Sequence, residues 1–117
     1  MFKVKRVYEG VSGDDGFRVL VERLWPRGLK KEQVAVDLWL KEAAPSTELR
    51  TWFGHDPARW EEFRRRYGAE LEDKAEALEL LRQKSREGIV TLVYSARDER
   101  HNAALALKEF LETGQGR

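Results

Sequence analysis

The chain has 117 residues, with 22 Lys and Arg against 21 Asp and Glu and a net charge of +1. This length excludes two well-packed domains, and the balanced charge excludes a general attraction to nucleic acid or to an anionic membrane. The sequence contains no Cys and only two His, which excludes disulfides and gives no metal-ligand spacing, so we predict no metal and no cofactor.

The N-terminal segment MFKVKRVYEG is charged throughout and lacks the apolar core of a signal peptide. No later window approaches the roughly 20 apolar residues that a membrane span requires. We therefore predict a cytoplasmic protein that does not enter a membrane. The share of charged residues, 37%, and the single Met are typical of a protein from a thermophile.

Two strands are predicted near the N-terminus, Phe2 to Tyr8 and Phe17 to Arg23, because both runs are rich in Val, Leu and aromatic residues. Pro26 and Gly28 end the second strand. The segment EGVSGDDG between the strands is typical of turns. Its three glycines precede a strand and do not open a helix, so we favour a plain loop over a dinucleotide-binding loop.

Helical signals dominate the middle of the chain. The segment DLWLKEAAPS is interpreted as a short helix or turn that ends at Pro45, after which Ser46 or Thr47 caps a short helix. Asp56 and Pro57 together offer an N-cap and a first-turn proline. The long helix that follows has one apolar stripe, and we expect a bend or break at a glycine, Gly68. The stripe consists of Trp60, Phe63, Tyr67, Leu71, Ala75, Leu78 and Leu81.

The last third repeats the order strand, turn, helix. Ile89 to Ser95 is an almost continuous apolar run, typical of a central strand that is buried on both faces of a parallel sheet. A helix from about Glu99 to Thr113 follows, with Asp98 or Ser95 as its N-cap and Gly114 at its end.

These elements predict a single α/β domain with a small, mainly parallel sheet of three to four strands covered by helices. A helical crossover between two strands makes them parallel, so the carboxyl ends of Phe17 to Arg23 and Ile89 to Ser95 should lie side by side and face one crevice. The direction of the first strand stays open, because its connection is short for a parallel crossover.

Arginines cluster at the predicted end of the second strand, where the segment RLWPRG carries Arg23 and Arg27. A guanidinium that loses water needs an anion, and its fork matches phosphate or carboxylate oxygens in pairs. Backbone N–H groups after Ser95 add donors at the same edge. The predicted anion-binding residues are Arg6, Arg18, Arg23, Arg27, Arg50 and Ser95.

Internal ion pairs are the alternative for these arginines. Arg6, Arg18 and Arg23 would then pair with Glu22, Asp37 and Asp98 and hold the sheet to its loops. We favour a site of several convergent arginines, because the carboxylates available to neutralise them are fewer than the donors.

Candidate catalytic groups are Asp98 or Asp37 as a base, Tyr94 as an acid, Ser95 as a nucleophile or hydrogen-bond donor, and His55 as a proton carrier. No triad or metal spacing links them. Each also has a structural interpretation: Asp98 as a helix cap, Ser95 as a turn residue with a local hydrogen bond, and His55 as a loop residue. If there is chemistry, phosphoryl or nucleotide-related transfer or hydrolysis suits arginines and a helix N-terminus best.

Four tryptophans, Trp25, Trp39, Trp52 and Trp60, allow other interpretations. Trp25 and Trp39 are predicted to form an aromatic wall beside the arginines. The partner we predict is a small anionic or phosphorylated molecule. Single-stranded nucleic acid stacked on tryptophan is one alternative, and a noncatalytic protein interaction module is another. The sequence leaves the oligomeric state open.

Four segments, VKRVY, GFRVLVERLWPRGLKK, DLWLKEAAPSTELRTWFGH and LVYSARDERHNAALAL, together resemble the YeaO-like proteins, the short branch of the bacterial family called domain of unknown function 488. The resemblance covers nearly the whole chain. It implies a single small α/β domain and assigns no roles to residues. At Glu22 this chain departs from the Asp that is commoner in the family pattern, which lengthens the carboxylate's reach by one methylene.

Overall fold

The computed structural model describes residues 1–113, which form one four-stranded sheet and its covering helices. The strands are β1 (Phe2–Arg6), β2 (Phe17–Leu20), β3 (Leu38–Trp39) and β4 (Val90–Tyr94). Their order is β1-β4-β2-β3, and every neighbouring pair is parallel. The predicted α/β domain with a mainly parallel sheet is confirmed, and the first strand, whose direction the sequence left open, runs parallel to β4.

Strand β4 occupies the centre of the sheet. It pairs with β1 from Phe2 opposite Val90 and with β2 from Phe17 opposite the same residue, and all five of its residues are buried. A run of apolar and β-branched side chains is stable only where both faces are covered. The predicted central position of this strand is confirmed.

Five α-helices accompany the sheet, and none of the helices described here is long and apolar enough to cross a membrane. The helices are α1 (Lys31–Val34), α2 (Thr47–Phe53), α3 (Trp60–Leu71), α4 (Ala75–Glu87) and α5 (Ala103–Thr113). Short 3-10 turns lie at Val7–Glu9, Lys41–Ala43 and Pro57–Arg59.

The long helix predicted in the middle of the chain is two helices, and the predicted break at Gly68 is wrong. Gly68 lies inside α3, whereas the chain leaves the helical conformation at Lys74, with φ −116° and ψ 43°. Leu71 and Leu78, on either side of this break, are both buried. Their spacing of seven residues fits one continuous stripe as well as two separate helices, so the pattern alone misses the break.

Two further boundaries differ from the predictions. The segment interpreted as a short helix or turn before Pro45 contains β3 and a 3-10 turn. The last helix begins at Ala103, where Asn102 Oδ1 accepts a hydrogen bond from the N–H of Leu105 at 2.8 Å. The predicted caps Asp98 and Ser95 therefore do not start α5, and the predicted end at Gly114 lies outside the described residues.

The core has two parts, one on each face of the sheet. Helices α2 to α5 contribute to the larger part, in which Phe63, Tyr67 and Leu71 are almost fully buried and Trp60 packs at the edge, partly exposed. The smaller part covers the opposite face and is built from Val7, Leu20, Val34 and Val93, with Trp25 and Trp39 packed against it.

Candidate functional site

A cavity of about 660 Å³ lies at the carboxyl ends of β2 and β4. This edge of a parallel sheet is where α/β folds generally place their ligands. Arg23 and Ser95 both line the cavity, so the two strand ends face one crevice as the predicted fold requires. Its lining comes from the 3-10 turn after β1, the loops after β2 and β4, the segment before α2, helices α2 and α3, and the start of α5.

Four arginines line the cavity: Arg23, Arg27, Arg50 and Arg97. Arg23 Nε donates to the carbonyl of Pro45 at 2.8 Å, which fixes the guanidinium at the wall. Among residues 1–113, no carboxylate lies within ion-pair distance of these four guanidinium groups. The arginines therefore give the cavity an excess of positive charge.

Two carboxylates, Glu22 and Asp98, line the same cavity, and both already accept hydrogen bonds. Glu22 receives the backbone N–H and the hydroxyl of Ser95, each at 2.8 Å. Asp98 receives the backbone N–H groups of Arg100 and His101, and its Oδ2 lies 2.9 Å from His101 Nδ1. The bond from the Arg100 N–H, followed by the His101 side chain, lowers the pKa of Asp98, which keeps this carboxylate ionised.

The hydroxyl of Ser95 is thus engaged by Glu22, which is 73 residues away in the chain, and not by the local partner that the structural interpretation predicted. The same carboxylate fixes the backbone at the end of β4. A carboxylate is a weak base toward a serine hydroxyl. The pair therefore joins the loop after β2 to the loop after β4 in the cavity wall, and we call such a carboxylate–serine pair a clamp.

A second clamp of the same kind joins α3 to the start of α2. Glu70 accepts the backbone N–H of Ser46 at 2.8 Å and its hydroxyl at 2.5 Å, while Ser46 Oγ caps α2 by accepting the N–H of Leu49. This clamp positions the helix that carries Arg50 into the cavity. Its partners are 24 residues apart, and sequence reasoning did not identify Glu70.

Replacing Glu70 by Ala should lower the free energy of unfolding by about 1 to 3 kcal/mol, because it leaves two partly buried donors of Ser46 without their acceptor. Urea denaturation at pH 7 measures the change. Glu72→Ala is the control, because Glu72 is exposed and should shift stability by less than about 0.5 kcal/mol. Equal losses in both variants would contradict the clamp.

Arg18 lies away from the cavity, buried against the smaller core. Its Nη1 is 2.6 Å from the carboxylate of Asp15, and its other nitrogens donate to the carbonyls of Val34 and Ala35. Asp37 is also remote from the cavity and accepts the backbone N–H of Arg18 at 2.8 Å. Arg18 is therefore neutralised internally, as in the alternative interpretation, but its partner is Asp15 and not Glu22, Asp37 or Asp98.

Arg6 supports the rim of the cavity from behind. Its Nε donates to the carbonyl of Ala96 at 2.8 Å and its guanidinium lies 5.1 Å from the centre of the Tyr8 ring. Ala96 and Tyr8 line the cavity, whereas Arg6 does not.

Arg97 is exposed and lines the cavity, and the sequence analysis did not identify it. The only signal in the sequence was its position in the loop after β4.

The predicted aromatic wall is present only in part at the cavity. Trp25 lines it and donates its Nε1–H to the carbonyl of Leu29 at 2.8 Å. Trp39 packs edge-on against Trp25 with ring centres 5.2 Å apart, and donates to the carbonyl of Glu22, so it supports the wall from outside.

Tyr94 and His55 also line the cavity. Tyr94 is only 4% exposed, and its hydroxyl has no hydrogen-bond partner within the part of the chain that the structure describes. Burial raises the pKa of this hydroxyl, and the carboxylates of Glu99 and Glu9 raise it further. Tyr94 therefore stays a neutral hydrogen-bond donor at neutral pH.

His55 is exposed at the mouth, with a left-handed φ of 58°.

No three His, Cys, Asp or Glu side chains come together as a metal-binding group within residues 1–113.

A family model described as "Inactive DUF488-N3 subclade" matches residues 1–116. Among individual proteins, the chain is 45% identical over 109 residues to the uncharacterized protein Rv3073c of Mycobacterium tuberculosis, covering 93% of this chain and 92% of that one. It is 42% identical over 109 residues to the uncharacterized protein YeaO of Escherichia coli, covering 93% and 95% of the two chains. Comparison with solved structures finds no match.

Proposed function

The chain belongs to the YeaO-like DUF488 family, and we propose that it binds a small phosphate-bearing or nucleotide-like molecule in this cavity without catalysing a reaction on it. The observation that carries the proposal is the charge of the lining. Four arginines face two carboxylates, and both carboxylates are already occupied by other donors. An anion that entered the cavity would be attracted by this charge and would accept paired hydrogen bonds from the guanidinium groups.

The positions of the arginines favour a ligand with its charge at the cavity mouth. Arg27, Arg50 and Arg97 are exposed, and they come from three separate segments of the chain. Guanidinium forks from several directions suit the oxygens of a phosphate group. A cavity of about 660 Å³ is also within the usual size range for small-molecule sites.

Binding without catalysis is supported by two observations. The description of the matching family model calls that subclade inactive. In addition, three of the five candidate catalytic groups are occupied or remote: Glu22 holds the Ser95 hydroxyl, His101 contacts Asp98, and Asp37 is bonded outside the cavity. A nucleophile and a free base facing each other, which acyl or phosphoryl transfer to a side chain requires, are not among these groups.

The first test replaces the arginines singly. Arg27→Lys keeps the charge and loses the paired fork, so it should weaken binding of phosphate-bearing ligands by about 1.5 to 3 kcal/mol, and Arg23→Ala should do at least as much. Calorimetric titration with inorganic phosphate, ribose 5-phosphate and adenosine mono-, di- and triphosphate measures this. Arg100→Ala is the matched control, because Arg100 is exposed and does not line the cavity.

Binding that is identical in the wild type, both cavity variants and the control would contradict the proposal. Salt concentration distinguishes the alternatives in the same experiment. Binding of one small anion should weaken modestly as the ionic strength rises. Binding of single-stranded nucleic acid should weaken steeply, and association through an apolar protein interface should hardly change.

A cytoplasmic location and a thermophilic host stay predictions from the sequence.

A further inference from the structure

We propose that Glu70 raises the affinity of the cavity for its anion without contacting that anion, because Glu70 holds the peptide bond between Pro45 and Ser46 that fixes the guanidinium of Arg23. This inference rests on the proposed function. It adds a positioning residue that lies outside the lining of the cavity.

A single peptide bond links Arg23 to Glu70. Its carbonyl, that of Pro45, accepts a hydrogen bond from Arg23 Nε at 2.8 Å, and its N–H, that of Ser46, donates to Glu70 Oε1 at 2.8 Å. The peptide is trans, so these two groups point in opposite directions. The negative charge lies at the N–H end and the positive charge at the carbonyl end, which follows the dipole of the peptide. Hydrogen bonds in such a chain polarise and strengthen one another.

Helix α3 holds this wall of the cavity at two points. The hydroxyl of Tyr67 donates to the carbonyl of Ala43, and Glu70, one turn further along the helix, binds Ser46. The chain between these two points is buried, so it has little freedom while both contacts are in place. Without Glu70 only the Tyr67 contact is left, and the Pro45 carbonyl is free to turn away from the arginine.

Arg23 keeps most of its donors for a ligand. Within residues 1–113 only its Nε is hydrogen-bonded, so the N–H groups of Nη1 and Nη2 have no protein partner. These two nitrogens form a fork that matches two oxygens of a phosphate group. A side chain that is already ordered loses less conformational entropy when it binds. The bond to Pro45 therefore prepares Arg23 for the anion.

Charge and position predict opposite effects of removing Glu70. A nearby carboxylate repels an anion, so its loss would tighten binding if only charge mattered. Loss of the hold on Arg23 weakens binding instead. We expect Glu70→Ala to weaken binding of inorganic phosphate about 3- to 10-fold. Glu70→Gln keeps an acceptor oxygen for the Ser46 N–H and should restore at least the wild-type affinity.

Nuclear magnetic resonance titration with inorganic phosphate measures these affinities, and the exposed Glu72→Ala is the control. A double-mutant cycle with Arg23→Ala shows which side chain Glu70 acts through. In the Arg23→Ala background, Glu70→Ala should change the affinity by less than about 2-fold. An effect as large as in the wild-type background, or tighter binding by Glu70→Ala alone, would overturn the inference.

A second measurement needs no ligand. The Arg23 Nε–H signal, assigned with Arg23→Lys, should exchange with water about 10-fold faster in Glu70→Ala than in the wild type. Ser46→Ala is the matched control, because it removes the hydroxyl and the cap of α2 but keeps the N–H that Glu70 accepts. The signal should stay unchanged in that variant. Thermal melting confirms that each variant is folded at the temperature of the measurement.

The two measurements separate this inference from the proposed function. If the Arg23 signal exchanges equally in the wild type and Glu70→Ala, the role of Glu70 is overturned and the anion site stands. If the wild type binds neither inorganic phosphate nor the other phosphates named above, the proposed function fails. The effect of Glu70 on affinity then fails with it, whatever the exchange rate of the Arg23 signal.

Discussion

Replacing Asp15 by Ala should lower the free energy of unfolding by about 3 to 5 kcal/mol, because it leaves a buried guanidinium without its counter-ion. The side chains of Asp15 and Arg18 are only 3% and 4% exposed, and their closest atoms are 2.6 Å apart. The same carboxylate also accepts from Lys5 at 3.1 Å and from the backbone N–H of Ser12 at 2.9 Å. One side chain thus holds β1, β2 and the loop between them.

Urea denaturation at pH 7 measures this loss. The neighbouring variant Asp14→Ala is the control, since the Asp14 side chain is 75% exposed, lies 3.9 Å from Lys3 and accepts a hydrogen bond only from the exposed hydroxyl of Ser12. Its change in stability should be much smaller than that of Asp15→Ala. Similar losses in the two variants would show that the buried pair contributes nothing specific.

Acid should weaken the fold through the same carboxylate. Burial on its own raises the pKa of Asp15, but the hydrogen bonds from the Ser12 N–H, Lys5 and Arg18 outweigh it, and the net shift is downward. A pKa that is lower in the folded state means that the stabilisation is complete above the unfolded value of about 3.9 and is lost as the pH falls below it. Melting temperatures measured between pH 7 and pH 2 should therefore fall less steeply for Asp15→Ala than for the wild type.

The second large effect is expected for Gly16→Ala, which should cost about 2 to 5 kcal/mol. Gly16 has φ +67°, and an added Cβ would lie 2.2 Å from the carbonyl oxygen of Ile89. That oxygen accepts the N–H of Phe17 at 2.9 Å, the bond that starts the pairing of β2 with β4. The added methyl group would therefore push Gly16 away from Ile89 and weaken the hydrogen bond that sets the register of β2 against β4.

Two other glycines of the same loop separate the causes. Gly10 has φ +82° with nothing within 4 Å of an added Cβ, so Gly10→Ala tests backbone strain alone and should cost about 1 to 2 kcal/mol. Gly13 has open space and no positive φ, so Gly13→Ala should be nearly neutral. Urea denaturation of the three variants should rank them in that order, and a Gly16→Ala protein as stable as Gly13→Ala would disprove the close approach.

The parallel sheet and its central strand were predictable because a strand that is buried on both faces has a mostly apolar sequence. Val90 to Tyr94 shows no alternation of apolar and polar residues, and the helical crossover that leads to this strand makes it parallel to β2. The convergence of Arg23 and Ser95 on one crevice follows from that topology alone. Local rules also identified the Ser46 cap of α2, since capping depends on neighbours within one turn.

Features that depend on how the loops pack, or on distant partners, were not predictable. Asp98 and Asn102 are both good N-cap residues, and only the packing of the loop decides that Asn102 starts α5. Arg18 and Arg23 lie on one predicted strand with the same side chain, yet Arg18 is neutralised by Asp15 in the preceding loop while Arg23 faces the cavity. The Glu70 carboxylate is paired across 24 residues, a separation at which sequence patterns carry no signal.

The strand order has a consequence for how the protein is made. β1 and β2 do not touch each other in the sheet, because β4 lies between them, and β4 is the last strand to leave the ribosome. Until Val90 to Tyr94 is added, β1 has no neighbour to bond, and β2 has only the two-residue strand β3. Such long-range pairing is slow to form and leaves strand edges exposed in the meantime. The sheet therefore closes late, when β4 enters between β1 and β2.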